Sequence, residues 1–245
     1  CACAYSCERL GWLAPEPLTC ADALDEHCPR ATWCTSSAPV TPATRTIPCE
    51  AIATSGEFRH LSSINGLRYD LKYASADNFM SRDMYAPLDC AWLHHEAAAA
   101  LESVIAALAR QRPVVTLCVL DALRPQRVQQ AMWDALAGTP LTQYLAPPEI
   151  GSIHSFGMAV DVTLLDAHGE ELDMGTPFDD MSELSHPVLE GGFVASGDLR
   201  SEHLAHRHLL RNAMLHAGFH AISTEWWHFD LGDRAHVRRT FARVL

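Results

Sequence analysis

The sequence predicts an α+β fold, on three observations. Helix-period and strand-period segments are interspersed without a regular β-α-β repeat, a pattern that argues against a doubly wound parallel sheet. The chain has 245 residues, enough for one sizeable core and an extension. Its 48% hydrophobic and 20% charged residues are ordinary for a globular protein.

Taken in order, residues 1–50 form a cysteine-rich extension and residues 51–245 the main domain. Seven of the nine cysteines fall in the first 49 residues: Cys1, Cys3, Cys7, Cys20, Cys28, Cys34 and Cys49. No C-x-x-C pair occurs, which weakens a zinc-ribbon reading. Cysteines this dense in a loop-rich segment read as a disulfide framework, and hence as an extracytoplasmic location (periplasmic, secreted or lipoprotein). With Cys1 set apart as a candidate lipid anchor, Cys3 to Cys49 supply six partners of open connectivity. Free thiols in a cytoplasmic chain are the alternative. Residues 36–44, rich in Pro, Ser and Thr, read as a linker.

Residues 67–73 alternate enough for a strand, followed by a loop around Asn78. Residues 91–110 suit a helix: they are alanine-rich, with Leu101, Ile105 and Leu108 on one face. Residues 114–120 are a continuous apolar run of strand length. Pro125 then sits at the start of a helix reaching about residue 137. Residues 158–165 read as a strand, and residues 201–217 as a helix stopped by Gly218. The last strands are expected at residues 219–222 and 226–231.

The formal net charge of -12 argues against a nucleic-acid partner, since phosphate binding needs a basic surface. There is no run of 18 apolar residues, so no transmembrane helix is expected. Oligomeric state is not legible.

The residues that carry chemistry are His154, Asp161, Glu225 and His228. A catalytic zinc keeps three protein ligands and one open position, and a neighbouring carboxylate can take a proton from the water there. Any one of the 14 histidines is more often solvated or a structural hydrogen-bonder than a ligand. The flanks change that balance. Asp161 runs into the apolar Val162-Thr163-Leu164-Leu165, and Glu225 and His228 bracket Trp226 and Trp227. Charged groups embedded in apolar strands are costly unless paired or bound to metal. On a regular strand Glu225 and His228 would face opposite ways, so irregular backbone is expected between them. His203, His206 and His208 on the 201–217 helix read as a solvated face, Trp226 and Trp227 as core and pocket wall, and Asp121 as structural. His186 has no derivable role.

The set Ser152-x-His154-Ser155-x-Gly157-x-Ala159-x-Asp161, followed by Glu225-Trp226-Trp227-His228, resembles the D-alanyl-D-alanine dipeptidase family, zinc peptidases of the VanX type. Three other segments agree in order: residues 66–79, Asp121-Ala122-Leu123-Arg124-Pro125-Gln126-Arg127, and residues 173–181. The resemblance implies the small α+β zinc-peptidase fold shared with the hedgehog signalling domain. It further implies one Zn2+ per chain on His154, Asp161 and His228, with Glu225 as base and acid and Arg124 as the transition-state arginine. Tyr73 and Asp179 are implied for the substrate ammonium and Ser152 for its carboxylate. The implied reaction is hydrolysis of the dipeptide D-Ala-D-Ala. The alternatives are a D,D-carboxypeptidase or other peptidoglycan peptidase on the same fold, or a non-catalytic zinc-stabilised module that binds cell-wall peptides. Phe156 departs from the arginine usual at its position, and is expected to alter the pocket's charge or a loop contact.

Overall fold

A computed structural model describes residues 45–245. Cys1 to Cys34, the linker and the candidate anchor at Cys1 lie outside the described residues. In chain order the described elements begin with β1 (Thr46–Ile47), β2 (Phe58–His60), β3 (Arg68–Tyr69) and β4 (Trp92–His94). They continue through α1 (His95–Gln111), β5 (Thr116–Asp121), α2 (Gln126–Leu136), β6 (Ala159–Leu165) and α3 (Glu190–Ser196). The last are α4 (Ser201–His216), β7 (Phe219–Ala221), β8 (His228–Leu231), α5 (Arg234–Thr240) and β9 (Arg243–Val244). The fold is α+β, as expected. None of the described helices is long and apolar enough to cross a membrane.

The centre is a mixed five-stranded sheet in the order β3-β5-β6-β8-β7. β3 runs parallel to β5, and the remaining neighbours are antiparallel. Alternation along β6 sends Val160, Val162 and Leu164 into the main core and Asp161 to the opposite face. α1 contributes Ala97, Ala98, Leu101, Val104 and Leu108 to that core, and α4 contributes Leu210, Ala213 and Met214. One face of the sheet is thereby filled by helices, leaving the other for a site.

Two departures from the sequence reading have clear causes. Residues 91–94 do not begin the helix; Trp92–His94 pair antiparallel with Phe58–His60, a non-local partner that local periodicity cannot reveal. The His94 ring then caps α1 by accepting from Glu96 N. The strand expected over residues 67–73 is only Arg68–Tyr69, followed by a 3-10 turn at Lys72–Ala74 that buries Tyr73.

The folded unit also begins before residue 51. Thr46–Ile47 pair in parallel with Arg243–Val244, and Cys49 N donates to Leu245 O. Cys49 thus lies within the described domain. Among the described residues its thiol forms no disulfide; it is buried in a second core cluster, within hydrogen-bonding reach of Cys90.

Candidate active site

Three neighbouring strands place three acidic or basic side chains in one row. Asp121 on β5 pairs with Asp161 on β6, and Asp161 pairs with His228 on β8. Paired residues point to the same face of a sheet. Asp121 reaches that face through a bulge: the β5–β6 register shifts between Val119 and Asp121. Val119 thus lies in the helix-covered core while Asp121, two residues on, faces the site.

His154 arrives from a separate element, the 3-10 turn Ile153–Phe156. Ser152 caps this turn by accepting from His154 N, and Gly157 closes it at φ 65°. A Cβ at Gly157 would meet His94 N at 2.7 Å and the Phe58 ring at 2.9 Å, so only glycine fits. The His154 Nδ1–H donates to Ala122 O (2.8 Å), which leaves Nε2 facing the row.

The donor atoms converge. Asp161 Oδ1 lies 2.9 Å from His228 Nδ1 and 3.4 Å from His154 Nε2, and the two imidazole nitrogens are 3.2 Å apart. Two donors of a tetrahedral ion at the usual ~2.0–2.1 Å bond lengths stand about 3.3 Å apart. These separations fit a small divalent metal. Burial opposes ionisation of Asp161, yet the two imidazoles pull its carboxyl well below the usual range. Burial likewise opposes protonation of His228, but the carboxylates of Asp230 and Asp161 raise it far above an ordinary histidine.

Glu225 lies in the bends between β7 and β8, so the chain is irregular where the opposed facing requires it. Its Oε2 is 3.9 Å from His228 Nδ1. Burial pushes this carboxyl up to about 7. Arg124 is buried and fixed from several sides. Asp121 Oδ2 accepts from its Nε (3.0 Å) and Nη2 (2.6 Å), Gln129 Oε1 accepts from Nη1 (3.3 Å), and the Tyr73 ring lies under the guanidinium at 5.1 Å. The same Nη2 is 3.5 Å from Asp161 Oδ2, which brings the cation to the edge of the donor cluster. Asp121 also accepts from Tyr85 OH and Ala122 N. It is structural, as expected, and what it structures is Arg124.

Tyr73 OH donates to both oxygens of Asp179, at 2.9 and 3.1 Å. Asp179 adopts φ 62°, unusual for a residue with a side chain. Burial, reinforced by the charge of Asp161, holds its carboxyl well above the usual range. Arg207 of α4 anchors the loop that carries it, donating to Met174 O, Leu184 O and Thr176 Oγ1. A cavity of about 280 Å3 brings together every residue expected for the site: Tyr73, Arg124, Ser152, His154, Asp161, Asp179, Glu225 and His228.

The same cavity is walled by Gln143, Tyr144, Asp230, Arg234 and Arg238, which the sequence reading missed. Asp230 was accessible to it, standing two residues beyond His228 on a strand; the others come from elements with no recognisable pattern. His186 gains a place, 3.1 Å from Tyr144 OH.

Two expectations are corrected. Phe156 does not reach the pocket: it is fully buried in the main core, because its turn points inward, with Arg243 stacked over its ring at 5.4 Å. The α4 histidines are not a uniformly solvated face. His203 is buried at the helix start, where its ring accepts from Arg200 N, and the His206 ring N–H donates to Asp173 O.

A family model described as D-Ala-D-Ala dipeptidase matches residues 55–245, a span that contains every residue lining this cavity. The chain belongs to the D-Ala-D-Ala dipeptidase family. It is 40% identical over 169 residues to a D-alanyl-D-alanine dipeptidase of Escherichia coli (strain K12), covering 69% of this chain and 81% of that protein. It is 31% identical over 199 residues to one from Enterococcus faecium, covering 73% and 92%. It is 29% identical over 203 residues to one from Streptomyces coelicolor, covering 74% and 94%. The family is one of metal-dependent peptidases, in keeping with the His154, Asp161 and His228 cluster.

Proposed function

We propose that this chain hydrolyses the dipeptide D-Ala-D-Ala to two molecules of D-alanine, with one zinc ion held by His154, Asp161 and His228. The observation that carries the reading is the convergence of those donors, Glu225 and Arg124 in one small cavity. Two imidazoles and one carboxylate are borderline donors suited to zinc, and would leave it a net positive charge. A bound zinc would supply Lewis acidity and a water of lowered pKa.

The chain's own groups supply the rest. Glu225, held near 7 by burial, is matched to accept the proton of the attacking water and return it to the departing amine. Arg124, locked by Asp121, keeps its guanidinium charged and aimed at the cluster edge, where it would donate to the oxyanion that develops on the scissile carbonyl. Tyr73 and Asp179 offer a buried oxygen pair for the substrate ammonium, and Ser152 a hydroxyl for its carboxylate.

The cavity is at the lower limit of the ~300–1,000 Å3 typical of small-molecule sites, a size that favours a dipeptide over a long wall peptide. The presence of Glu225 and Arg124 at the cluster speaks against a non-catalytic binding module. The cysteines of residues 1–34 support an extracytoplasmic location, where the role would be wall recycling or scavenging.

The decisive experiment measures D-alanine release from D-Ala-D-Ala by zinc-loaded protein, with N-acetyl-D-Ala-D-Ala and a wall pentapeptide in parallel. Cleavage of the free dipeptide alone is expected. Cleavage of the blocked or longer peptides would move the chain to the carboxypeptidases, and cleavage of none would favour a binding module.

A further inference from the structure

His154 and His228 face the donor cluster through different nitrogens, and each is held by its other one. For His154 the holder is a backbone carbonyl, Ala122 O at 2.8 Å from Nδ1. For His228 it is a side chain. His228 Nε2 lies 2.9 Å from Asp230 Oδ1, while Nδ1 faces Asp161 and His154. Strand geometry makes this arrangement: residues 228 and 230 of β8 share a face, with Phe229 between them turned into the core.

Asp230 is itself buried, at 3% exposure, and a buried carboxylate is costly unless both oxygens are satisfied. Its second oxygen accepts from Arg234 Nε at 2.5 Å. Arg234 opens α5, four residues on, and its half-exposed side chain lines the cavity. The chain His228–Asp230–Arg234 thus runs from the cluster to the pocket wall, and none of its links is explained by core packing.

We propose that Asp230, braced by Arg234, is a positioning residue for the metal ligand His228. By accepting the Nε2–H it places the proton on Nε2, presents the Nδ1 lone pair to the cluster and fixes the ring plane. Outer carboxylates of this kind typically contribute about 10–100-fold to metal affinity. Since Ala122 O cannot be removed by substitution, Asp230 is the side chain through which the orientation of a ligand histidine can be tested. The inference rests on the reading of His228 as a ligand.

The test is the zinc dissociation constant, measured by chelator competition for wild type, Asp230→Ala, Asp230→Asn and His228→Ala, with the visible spectrum of the Co2+-substituted forms. Asp230→Ala is expected to weaken zinc by about 10–100-fold and shift the Co2+ bands. Asp230→Asn keeps an oxygen that can accept the Nε2–H, so it is expected to recover part of the affinity. Should Asp230→Ala fail to fold, the near-isosteric Asp230→Asn still tests the idea, with zinc binding several-fold weaker than wild type. Wild-type affinity and an unchanged Co2+ spectrum in a folded Asp230→Ala or Asp230→Asn protein would overturn the proposal. If His228→Ala retained its zinc as well, the ligand reading itself would fall; loss of zinc in His228→Ala alone would sink only the role of Asp230.

Discussion

Replacing Glu225 by glutamine is expected to make the metal-free protein more stable at alkaline pH and to abolish turnover in the zinc-loaded protein. Glu225 is only 9% exposed, and burial raises its carboxyl from an ordinary 4.5 to about 7. A carboxyl whose folded pKa is raised keeps a proton that the unfolded chain has released. Stability therefore falls as pH rises from about 4.5 through about 7, and the loss is complete above that window. At 1.36 kcal/mol per pH unit, the full cost of burying the ionised group is about 3 kcal/mol. Glutamine has nearly the same shape and no charge, so it escapes this cost. Denaturant titrations of chelator-treated wild type and Glu225→Gln at pH 5 and pH 8 read the difference. The gap in favour of the variant should widen by about 2–3 kcal/mol between the two. A gap that does not change with pH would refute the argument that burial governs this group. Zinc-loaded Glu225→Gln should keep its metal and lose nearly all turnover, the trade between stability and function expected of a buried catalytic charge.

Other expectations are direct. His228→Ala should lose bound zinc, read by elemental analysis after desalting; a full metal complement would break the ligand assignment. Arg124→Ala should lower kcat by about 100- to 1,000-fold with a small change in KM. Asp121→Asn should move in the same direction, since it weakens two of the bonds that aim Arg124. Tyr73→Phe should raise KM for the free dipeptide more than it lowers kcat, because the hydroxyl serves the proposed ammonium site and orients Asp179 there. Gly157→Ala should cost on the order of 2 kcal/mol or more in a denaturation experiment, since it combines a left-handed φ with a clash against His94 N.

The site was legible in the sequence to the extent that its chemistry sits in short consecutive stretches. His154 and Asp161 share one stretch and Glu225 and His228 another, and both were recognisable without knowing what lay between them. The long helices α2 and α4 were legible for a similar reason, because their caps and apolar spacing are local. Trp92–His94 was misread as the start of a helix because its partner, Phe58–His60, is over thirty residues away. Phe156 was expected to alter the pocket's charge or a loop contact because it neighbours His154 in the chain, whereas its turn directs it into the core. Cys49 was grouped with the upstream cysteines by proximity in sequence; its backbone bond to Leu245 is a non-local contact that such proximity does not reveal.

By itself, then, the sequence determined the residue types that meet in the cavity and the mixed α+β character, because those depend on residue identity and short-range periodicity. Tertiary structure decided which way each group faces. A one-residue bulge in β5 turns Asp121 toward Arg124, and the alternation of β8 sets Asp230 behind His228. An otherwise patternless helix, α5, brings Arg234 and Arg238 to the wall. Side-chain direction follows from strand register and from partners distant in the chain, and neither is written in any local stretch of residues.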